Sequence, residues 1–352
     1  MKILITGAAG YIGGMLADQF SLGPEVEEIV CIDKDPITDL LRENKKITWI
    51  KNDLSEDGWQ KEIENKKIDV AIHCAWQIRD FYIQSRLQKR WNEIGSEKFF
   101  DFVFENKIKK LIHFSTVSSY GALSSNRLDR PFIENDPQRE DEYRYGVQKK
   151  RVEFYLKKKF SGSSKETQVF IVRPTTITGP RERYMMGKQG LLYVLRGTET
   201  SKKSGMMNML RHFLKSMPVA SDDWCRQYIH EDDVTDIVGL LAFSKIAEKY
   251  EVFNIAPKDI IRANEMAEIF GRKTMRVKPW LVRIIFDLAW DFTWGRIPTS
   301  PGGWRFFCFP IPVDGSKITS KYNFEYMYSS KDALTKDEGR YAYAKKAVDS
   351  SQ

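Results

Sequence analysis

The chain has 352 residues, of which 42% are hydrophobic and 30% are charged, a composition that excludes a disordered or low-complexity chain. Its 56 Lys and Arg residues against 48 Asp and Glu residues give a formal net charge of +8, and the two signs are mixed along the chain. This surplus weakly favours anionic ligands and does not indicate a nucleic-acid partner. The length suggests roughly two structural units.

The cysteines and the N-terminus bear on the cellular compartment. Cys31, Cys74, Cys225 and Cys308 lie far apart without paired spacing, which argues against a disulfide framework and a zinc site. The first predicted strand begins at residue 2, with no removable signal before it. Charges interrupt every long apolar stretch, so no membrane-spanning helix is predicted. We therefore expect a cytoplasmic protein.

The first half of the chain alternates short β-rich runs with helical patterns. The predicted strands are Lys2–Thr6, Glu28–Ile32, Ile47–Lys51, Val70–His73, Leu111–Ser115 and Val169–Val172, with helices around Tyr11–Phe20, Trp91–Asn106 and Tyr145–Phe160. Nearly wholly apolar strands that alternate with helices are typical of a parallel sheet covered on both faces. The pattern predicts a doubly wound α/β fold of the Rossmann type.

The pattern changes after Pro180. Residues 181–224 show weak periodicity and no clear strand, whereas Arg226–Ile229 and Val252–Ile255 look like strands that return to the sheet. We predict a dinucleotide-binding domain at 1–180 plus 226–257 and a smaller, discontinuous C-terminal substrate lobe at 181–225 plus 258–330. Residues 331–352 are predicted to form a loosely held polar tail.

A glycine-rich loop lies between the first predicted strand and the first predicted helix. It reads TGAAGYIG from Thr6 to Gly13. Gly7 permits a tight turn, Gly10 lets the backbone approach a pyrophosphate, and Gly13 allows close helix–strand packing. The phosphates would lie at the helix N-terminus, which favours anions. Asp33 ends the second strand, where its carboxylate can accept a hydrogen bond from a ribose 2′-hydroxyl and would repel a 2′-phosphate. The loop therefore predicts NAD rather than NADP.

A tyrosine with a lysine four residues later places both side chains on one helix face. The ammonium group can lower the tyrosine pKa from about 10 toward the working pH, which suits proton transfer coupled to hydride transfer. Four pairs have this spacing: Tyr145–Lys149, Tyr155–Lys159, Tyr184–Lys188 and Tyr341–Lys345. Spacing alone does not choose among them.

A longer series of motifs does choose. In chain order these are Thr6–Gly13, Asp33, Asn52–Leu54 (NDL), His73–Ala75 (HCA), Asn92 with Gly95, Ser115–Gly121 (STVSSYG), Tyr145–Lys149 (YGVQK), and Arg173-Pro174 through Gly179-Pro180. Over roughly residues 1–330 the chain resembles the extended short-chain dehydrogenase/reductases, the NAD-dependent epimerase/dehydratase family. The resemblance implies NAD as the cofactor and accounts for the G-x-x-G-x-x-G spacing.

The resemblance selects one pair, Tyr145–Lys149, which follows the serine- and threonine-rich strand end. It implies that Tyr145 is the general acid/base and that Lys149 binds the nicotinamide ribose and lowers the tyrosine pKa. It places the catalytic Ser/Thr at Thr116, which would hydrogen-bond the reacting oxygen. Ser115 and Ser118 are neighbours that could be mistaken for it.

The resemblance also implies which residues bind the cofactor. These are Gly7, Gly10, Tyr11, Ile12, Gly13, Asp33, Asp53, Leu54, His73, Ala75, Asn92, Tyr145, Lys149 and Pro174. Asp53 resembles the family's adenine-contacting acid, and His73–Ala75 resembles the backbone that lines the cleft. The His73 side chain itself is expected to pack at a strand end, and His113 is expected in the core. His212 and His230 are isolated, so no metal site is predicted.

The candidate substrate-binding residues are Thr116, Thr176 and Arg226. Arg226 opens a segment that resembles a strand whose arginine contacts the diphosphate in sugar-nucleotide members. The guanidinium group suits phosphate, and the alternative is a surface ion pair with Asp222 or Asp223. Thr176 stands where many nucleotide-sugar epimerases have Asn, a departure from the family pattern. The usual arginine before a Gly-Asp pair is also missing from the stretch between residues 271 and 314.

That stretch is rich in aromatic residues. They are Trp280, Phe286, Trp290, Phe292, Trp294, Trp304, Phe306, Phe307 and Phe309. On a helix, Arg283, Asp287 and Asp291 form one narrow polar stripe among apolar residues. We expect a helix buried in the second lobe; the alternatives are an apolar substrate pocket, a partner surface or a membrane-surface contact. The stripe is not basic, which disfavours a membrane, although four basic residues precede it between 272 and 278.

The leading functional hypothesis is an NAD-dependent epimerase, or dehydratase, of a nucleotide-activated sugar. An alternative is a net dehydrogenase or reductase of an apolar alcohol or ketone, which would resemble the 3-beta-hydroxysteroid dehydrogenases. A non-catalytic NAD-binding sensor or scaffold is a third possibility, which the Tyr145–Lys149 pair disfavours. The family often dimerises through two helices per subunit, so a homodimer through the helices around Trp91–Asn106 and Tyr145–Phe160 is expected.

Overall fold

A computed structural model of the chain describes residues 1–186 and 216–345. The chain divides into two compact units. The first comprises Met1–Ser119, Arg144–Pro174 and Thr235–Asn254, and the second comprises Tyr120–Tyr143, Thr175–Val234 and Ile255–Gln352. Residues 120–143 thus belong to the second unit, whereas the predicted dinucleotide-binding domain runs unbroken to residue 180.

The first unit contains a seven-stranded sheet. Its strands are β1 (Lys2–Thr6), β2 (Glu28–Asp33), β3 (Ile47–Lys51), β4 (Val70–His73), β5 (Lys110–Phe114), β6 (Gln168–Pro174) and β11 (Tyr250–Ile255), in the order β11-β6-β5-β4-β1-β2-β3. All pairings among β1 to β6 are parallel. These strands lie within a residue or two of the predicted ones, and the predicted Rossmann-type doubly wound fold is confirmed.

The strands are apolar because they are buried on both faces of the sheet. Every residue of Ile3–Thr6 and Val70–His73 is buried. The helices of this unit are α1 (Tyr11–Ser21), α2 (Asp39–Arg42), α3 (Trp59–Ile63), α4 (Ser85–Lys89), α5 (Gly95–Glu105), α6 (Arg144–Ser161) and, from residue 235, α7 (Glu231–Phe243). Trp59 of α3, Phe99 of α5 and Val152 of α6 belong to one core cluster with strand residues such as Leu4. Burial of this apolar surface is what stabilises the sheet.

The second unit is built from short elements. Its strands are β7 (Thr176–Thr178), β8 (Ser216–Val219), β9 (Cys225–Arg226), β10 (Tyr228–His230), β12 (Ile261–Arg262) and β13 (Lys273–Arg276). Its other helices are α8 (Ala263–Ile269), α9 (Pro279–Phe292), α10 (Gly303–Cys308), α11 (Ser316–Tyr322) and α12 (Ser330–Thr335). The strands pair as β7–β10, β9–β12 and β8–β13.

Two expectations for this unit need correction. The predicted strand Arg226–Ile229 does not return to the seven-stranded sheet, because its residues fall in β9 and β10, which pair with β12 and β7. The predicted polar tail is ordered as far as residue 345: it begins with α12, and Leu334 and Tyr341 are buried. A few apolar residues in this polar run pack against the rest of the unit. They are too few to produce the periodic pattern by which a core element is predicted. Residues 187–215, including Lys188 and His212, and residues 346–352 lie outside the described residues.

The helix α9 is not buried, contrary to expectation. Only Val282 and Trp290 of its residues are buried, whereas Trp280 is 58% exposed and Phe292 is 80% exposed. The polar stripe predicted one solvent-facing edge, and the structure adds a broad apolar face that also contacts solvent. Periodicity identifies the faces of a helix, but it does not tell which apolar face packs against other residues.

Candidate active site

The strand order of the sheet reverses at β1, which lies between β2 and β4. In open α/β sheets, ligands bind beyond the carboxyl ends of the strands at such a reversal. The glycine-rich loop follows β1 and the Cys74–Ala75 turn follows β4, so both predicted cofactor motifs lie at this point. Thr6 and His73, the last residues of the two strands, are in register.

Two glycines of the loop are required by close backbone contacts. Gly7 has φ +73°, and a Cβ there would lie 2.5 Å from the Ala75 backbone nitrogen. A Cβ on Gly13 would lie 2.3 Å from the Gly7 carbonyl oxygen. The helix α1 begins at Tyr11 with Gly10 as its N-cap, and its first turn has no side-chain cap and no acidic residue. Such an N-terminus can receive the phosphates of a dinucleotide.

A cleft of about 290 Å³ opens at this loop. Ten of the predicted cofactor-binding residues line it: Gly7, Gly10, Tyr11, Ile12, Gly13, Asp33, Asp53, Leu54, Ala75 and Asn92. Its other walls include Trp76, Gln77 and Trp91. Four residues of the predicted set, His73, Tyr145, Lys149 and Pro174, are not among the residues that line this cleft within the described part of the chain.

Asp33 lies at the end of β2, where its carboxylate bonds two backbone segments of the cleft. Its Oδ2 accepts a hydrogen bond from the Ala9 backbone N–H at 2.9 Å, and its Oδ1 accepts one from the Asp35 N–H at 3.0 Å. Burial raises the pKa of the Asp33 carboxyl, and these two N–H donors oppose the rise. A carboxylate has further lone pairs for ribose hydroxyls. The glycine contacts, the uncapped helix and this carboxylate together fit a dinucleotide.

The side chains of His73 and Asn92 hydrogen-bond to other residues of the protein. His73 is buried, with its ring nitrogens 2.7 Å from the Thr6 and Ser96 hydroxyl oxygens. Burial lowers the pKa of His73 well below its usual value, so the ring is neutral. The Asn92 amide donates to the Gln77 carbonyl and to the Gln148 side chain, each at 2.9 Å. His73 is thus a packed strand-end residue, and Asn92 holds the wall of the cleft.

Tyr145 and Thr116, two of the predicted catalytic residues, lie next to each other. Burial raises the pKa of the Tyr145 phenol, and a hydrogen bond with the Thr116 side chain opposes that rise. The neighbouring hydroxyl of Ser115 donates to Glu153 Oε2 at 2.8 Å. Thr116 and Ser115 therefore have different hydrogen-bond partners. Their neighbouring positions in the motif do not show this difference.

Lys149 is buried one helical turn after Tyr145. Its ammonium donates to the Phe114 carbonyl and lies 3.8 Å from the centroid of the Trp76 ring. Burial lowers the pKa of Lys149 to about 7, while the charge of Glu153 opposes the decrease. Because the Trp76 ring also lies edge-on to Tyr145, with 6.4 Å between the centroids, one indole contacts both members of the pair.

The other Tyr–Lys pairs have different partners. The Tyr155 hydroxyl donates to Asp101 at 2.9 Å, and Lys159 forms an ion pair with the same carboxylate at 2.6 Å. Lys345 forms an ion pair with Asp337. The partner of Tyr184, Lys188, is outside the described residues.

The predicted substrate residues Arg226 and Thr176 belong to the second unit. The Arg226 guanidinium donates to the carbonyls of Cys225 and Phe306 and lies over the Trp224 ring, 4.5 Å from its centroid. It does not form the alternative ion pair with Asp222, which instead pairs with Arg276. Thr176 is exposed at the start of β7. Its role and that of Arg226 toward a substrate stay predictions.

Sequence reasoning missed two residues of this site. Trp76 directly follows the His73–Ala75 motif, but no spacing rule indicates that its ring would cover Lys149. Glu153 accepts hydrogen bonds from Ser115 and from buried Arg173. Its position four residues after Lys149, on the same helix face, was the available signal.

Fold and site together define a dinucleotide-binding protein of the Rossmann class. A family model described as "NAD dependent epimerase/dehydratase family" matches residues 3–256. The chain belongs to this family. NAD, the predicted cofactor, is thereby confirmed, as is the resemblance that the motifs indicated.

Individual relatives are more distant. Uncharacterized protein MJ1055 of Methanocaldococcus jannaschii is 31% identical over 151 residues, which are 38% of this chain and 44% of that protein. The chain thus matches less than half the length of this curated relative. UDP-glucose 4-epimerase of Thermotoga maritima, solved with UDP-glucose, has a TM-score of 0.69 with 17% identity and full coverage of both chains. MoeE5, solved with UDP-glucuronic acid and NAD, has a TM-score of 0.68 with 18% identity and 99% coverage of both chains. These two likenesses show the fold.

Two features are absent from the described residues. Within 1–186 and 216–345, no helix has the length and apolar character needed to cross a membrane. In the same ranges, no group of three or more His, Cys, Asp and Glu side chains is arranged to hold a metal ion.

Proposed function

We propose that this chain is an NAD-dependent epimerase, or dehydratase, of a nucleotide-activated sugar. The observation that carries the proposal is the Tyr145–Thr116 hydrogen bond with buried Lys149 one turn further along α6, in the same unit as the dinucleotide cleft. The nucleotide sugars named with the solved relatives support the substrate class.

Each residue has a defined task in this proposal. Bound NAD supplies the capacity to accept and return a hydride. Tyr145, as phenolate, takes the hydroxyl proton from the sugar carbon that is oxidised and gives it back when that carbon is reduced. Thr116 hydrogen-bonds the same oxygen, and Lys149 binds the nicotinamide ribose. In an epimerisation the proton and the hydride both return to the sugar, so there is no net redox change.

Lys149 must be protonated for its positive charge to favour the phenolate form of Tyr145. Burial alone raises the Tyr145 pKa, so the free chain does not hold a pre-formed phenolate. An ammonium close to the phenol would lower that pKa. Burial lowers the pKa of Lys149 to about 7, which weakens the binding of its proton. We infer that ribose hydroxyls, by accepting hydrogen bonds from Lys149, favour the ammonium form when NAD binds.

Replacing Tyr145 with Phe tests the proposal. Loss of the acid/base group should reduce turnover of UDP-glucose or UDP-glucuronic acid by about 10²- to 10⁴-fold, while NAD binding, measured by titration, is retained. Tyr155→Phe is the matched control, because this tyrosine lies on the same helix with a lysine at the same spacing and bonds Asp101 instead. Equal turnover in wild type and Tyr145→Phe would remove this residue from its role.

Accumulation of NADH separates the candidate reactions. An epimerase consumes no free NAD, whereas a net dehydrogenase of an apolar alcohol forms one NADH for each substrate oxidised. A scaffold would bind NAD but would convert neither a nucleotide sugar nor an apolar alcohol. Mass spectrometry of ligands that co-purify with the chain would identify the substrate class directly. Protein that carries no NAD(H) and exchanges with no nucleotide sugar would refute the proposal.

The homodimer and the roles of Arg226 and Thr176 are part of this proposal. On α6, Phe154 is 68% exposed, which supports an interface on that helix. Multi-angle light scattering measures the mass in solution. For Arg226, the buried guanidinium and its carbonyl partners support a role in shaping the second unit around a diphosphate group.

A further inference from the structure

The helix α9 presents an apolar face to solvent. We define its outward face as Trp280, Leu281, Ile284, Ile285, Leu288 and Phe292, which are between 39% and 80% exposed. At 100° per residue these six side chains occupy one continuous arc, opposite the buried Val282 and Trp290. Exposed apolar patches of this kind mark interaction surfaces.

Aromatic side chains lie at both ends of α9. Trp280 lies in the first turn, Phe292 lies in the last turn, and Trp294, two residues further on, is 70% exposed. Tryptophan combines a large apolar ring with one N–H donor, so it favours the boundary between an apolar phase and water. Four aliphatic side chains lie between these ends. The distribution along the helix matches that of a helix that lies in the plane of a lipid interface.

The surroundings of the helix are basic. Residues 272–296 contain six basic and two acidic residues. Every residue of β13, including Lys273, is exposed, and Lys278 precedes the first turn of α9. At 100° per residue, Asp287 lies just outside the arc and Asp291 lies inside it, between Trp280 and Ile284. Asp287 is 3.8 Å from Arg283. A surface that joins an apolar ridge to excess positive charge is complementary to anionic lipid headgroups.

The same charges disfavour one arrangement of a second copy of the chain as the occupant. A twofold contact that pairs the two α9 helices in parallel would bring the two basic flanks close to each other. The helix has 14 residues and is about 21 Å long, too short to cross a hydrocarbon layer of about 30 Å. We propose that the outward face of α9 docks the chain onto the surface of an anionic lipid bilayer. Unlike the proposed function, this proposal does not depend on the chemistry at Tyr145.

Vesicle co-sedimentation of the full chain tests the proposal. Vesicles of phosphatidylcholine that contain phosphatidylglycerol should pellet the protein, vesicles of phosphatidylcholine alone should pellet much less, and added salt should weaken the binding. The double variant Ile284→Asp with Leu288→Asp should lower the partition coefficient by about tenfold or more. Lys273→Gln and Lys278→Gln should each lower it about fivefold.

Three controls keep the outcome clear. Ile83→Asp changes a side chain that is 75% exposed in the first unit, and it should bind vesicles as wild type does. Unfolding midpoints of all variants should match wild type, and the milder pair Ile284→Ser with Leu288→Ser replaces any variant that fails to fold. The proposal would be overturned if wild-type protein does not bind anionic vesicles. It would also be overturned by light scattering that shows a dimer lost in the Ile284 and Leu288 variants, since that result assigns the face to a second copy.

Discussion

Glu153 of α6 and Arg173 of β6 form a buried ion pair. Glu153 is 5% exposed and Arg173 is 4% exposed. The Arg173 Nε donates to Glu153 Oε2 at 3.1 Å, its Nη2 donates to Oε1, and the Ser115 hydroxyl donates to Oε2 at 2.8 Å. Replacing Glu153 with Leu would remove the anion and leave the Arg173 charge buried without its carboxylate.

The size of the effect follows from this burial. Removing one partner of a buried pair costs about 3–5 kcal/mol, because the remaining charge is desolvated without compensation. Replacing both partners with apolar residues of similar volume is often neutral or stabilising. We expect Glu153→Leu to lower the free energy of unfolding by about 3–5 kcal/mol, and Glu153→Leu with Arg173→Met to recover most of that loss. A loss of this size is a large fraction of a typical folding free energy of about 5–15 kcal/mol.

Urea unfolding followed by circular dichroism measures these free energies. Asp57→Asn is the matched control, because its carboxylate pairs with Lys98 at 2.7 Å but is 91% exposed, and exposed pairs contribute little. Its unfolding midpoint should equal that of wild type. A Glu153→Leu variant within about 1 kcal/mol of wild type, or a double variant no more stable than the single one, would refute the reasoning.

Two further predictions concern Lys149 and the glycine-rich loop. Because the pKa of Lys149 is about 7 in the folded chain and 10.5 as its ordinary value, the unfolded chain binds one more proton between these pH values. The contribution of Lys149 to stability should therefore rise with pH above 7, by up to about 1.4 kcal/mol per pH unit. Lys149→Met should lack this rise, which urea unfolding at pH 7 and pH 9 measures against wild type; parallel slopes would contradict it. Gly13→Ala places a Cβ 2.3 Å from the Gly7 carbonyl oxygen, so the loop must move. NAD affinity by calorimetry should fall about tenfold or more, whereas Gly162→Ala, whose added Cβ would have its nearest neighbour at 3.8 Å, should leave NAD affinity unchanged.

The amino-acid sequence by itself determined the sheet and the cofactor loop. Strands such as Lys2–Thr6 and Val70–His73 are readable because parallel strands buried on both faces must be continuously apolar. Gly7, Gly13 and Asp33 are readable because a dinucleotide site demands their backbone freedom and charge at a set spacing along the chain. These requirements are local, so a single sequence carries them.

Tertiary structure alone decided which side chains meet. Ser115 and Thr116 are adjacent in sequence, and only packing shows that the first bonds Glu153 while the second bonds Tyr145. Trp76 reaches Lys149 across more than seventy residues of chain. The helix α9 is apolar on nearly every side, and its sequence does not state which face packs within the protein. Contacts between residues distant in sequence depend on how the elements pack, and no local pattern records that.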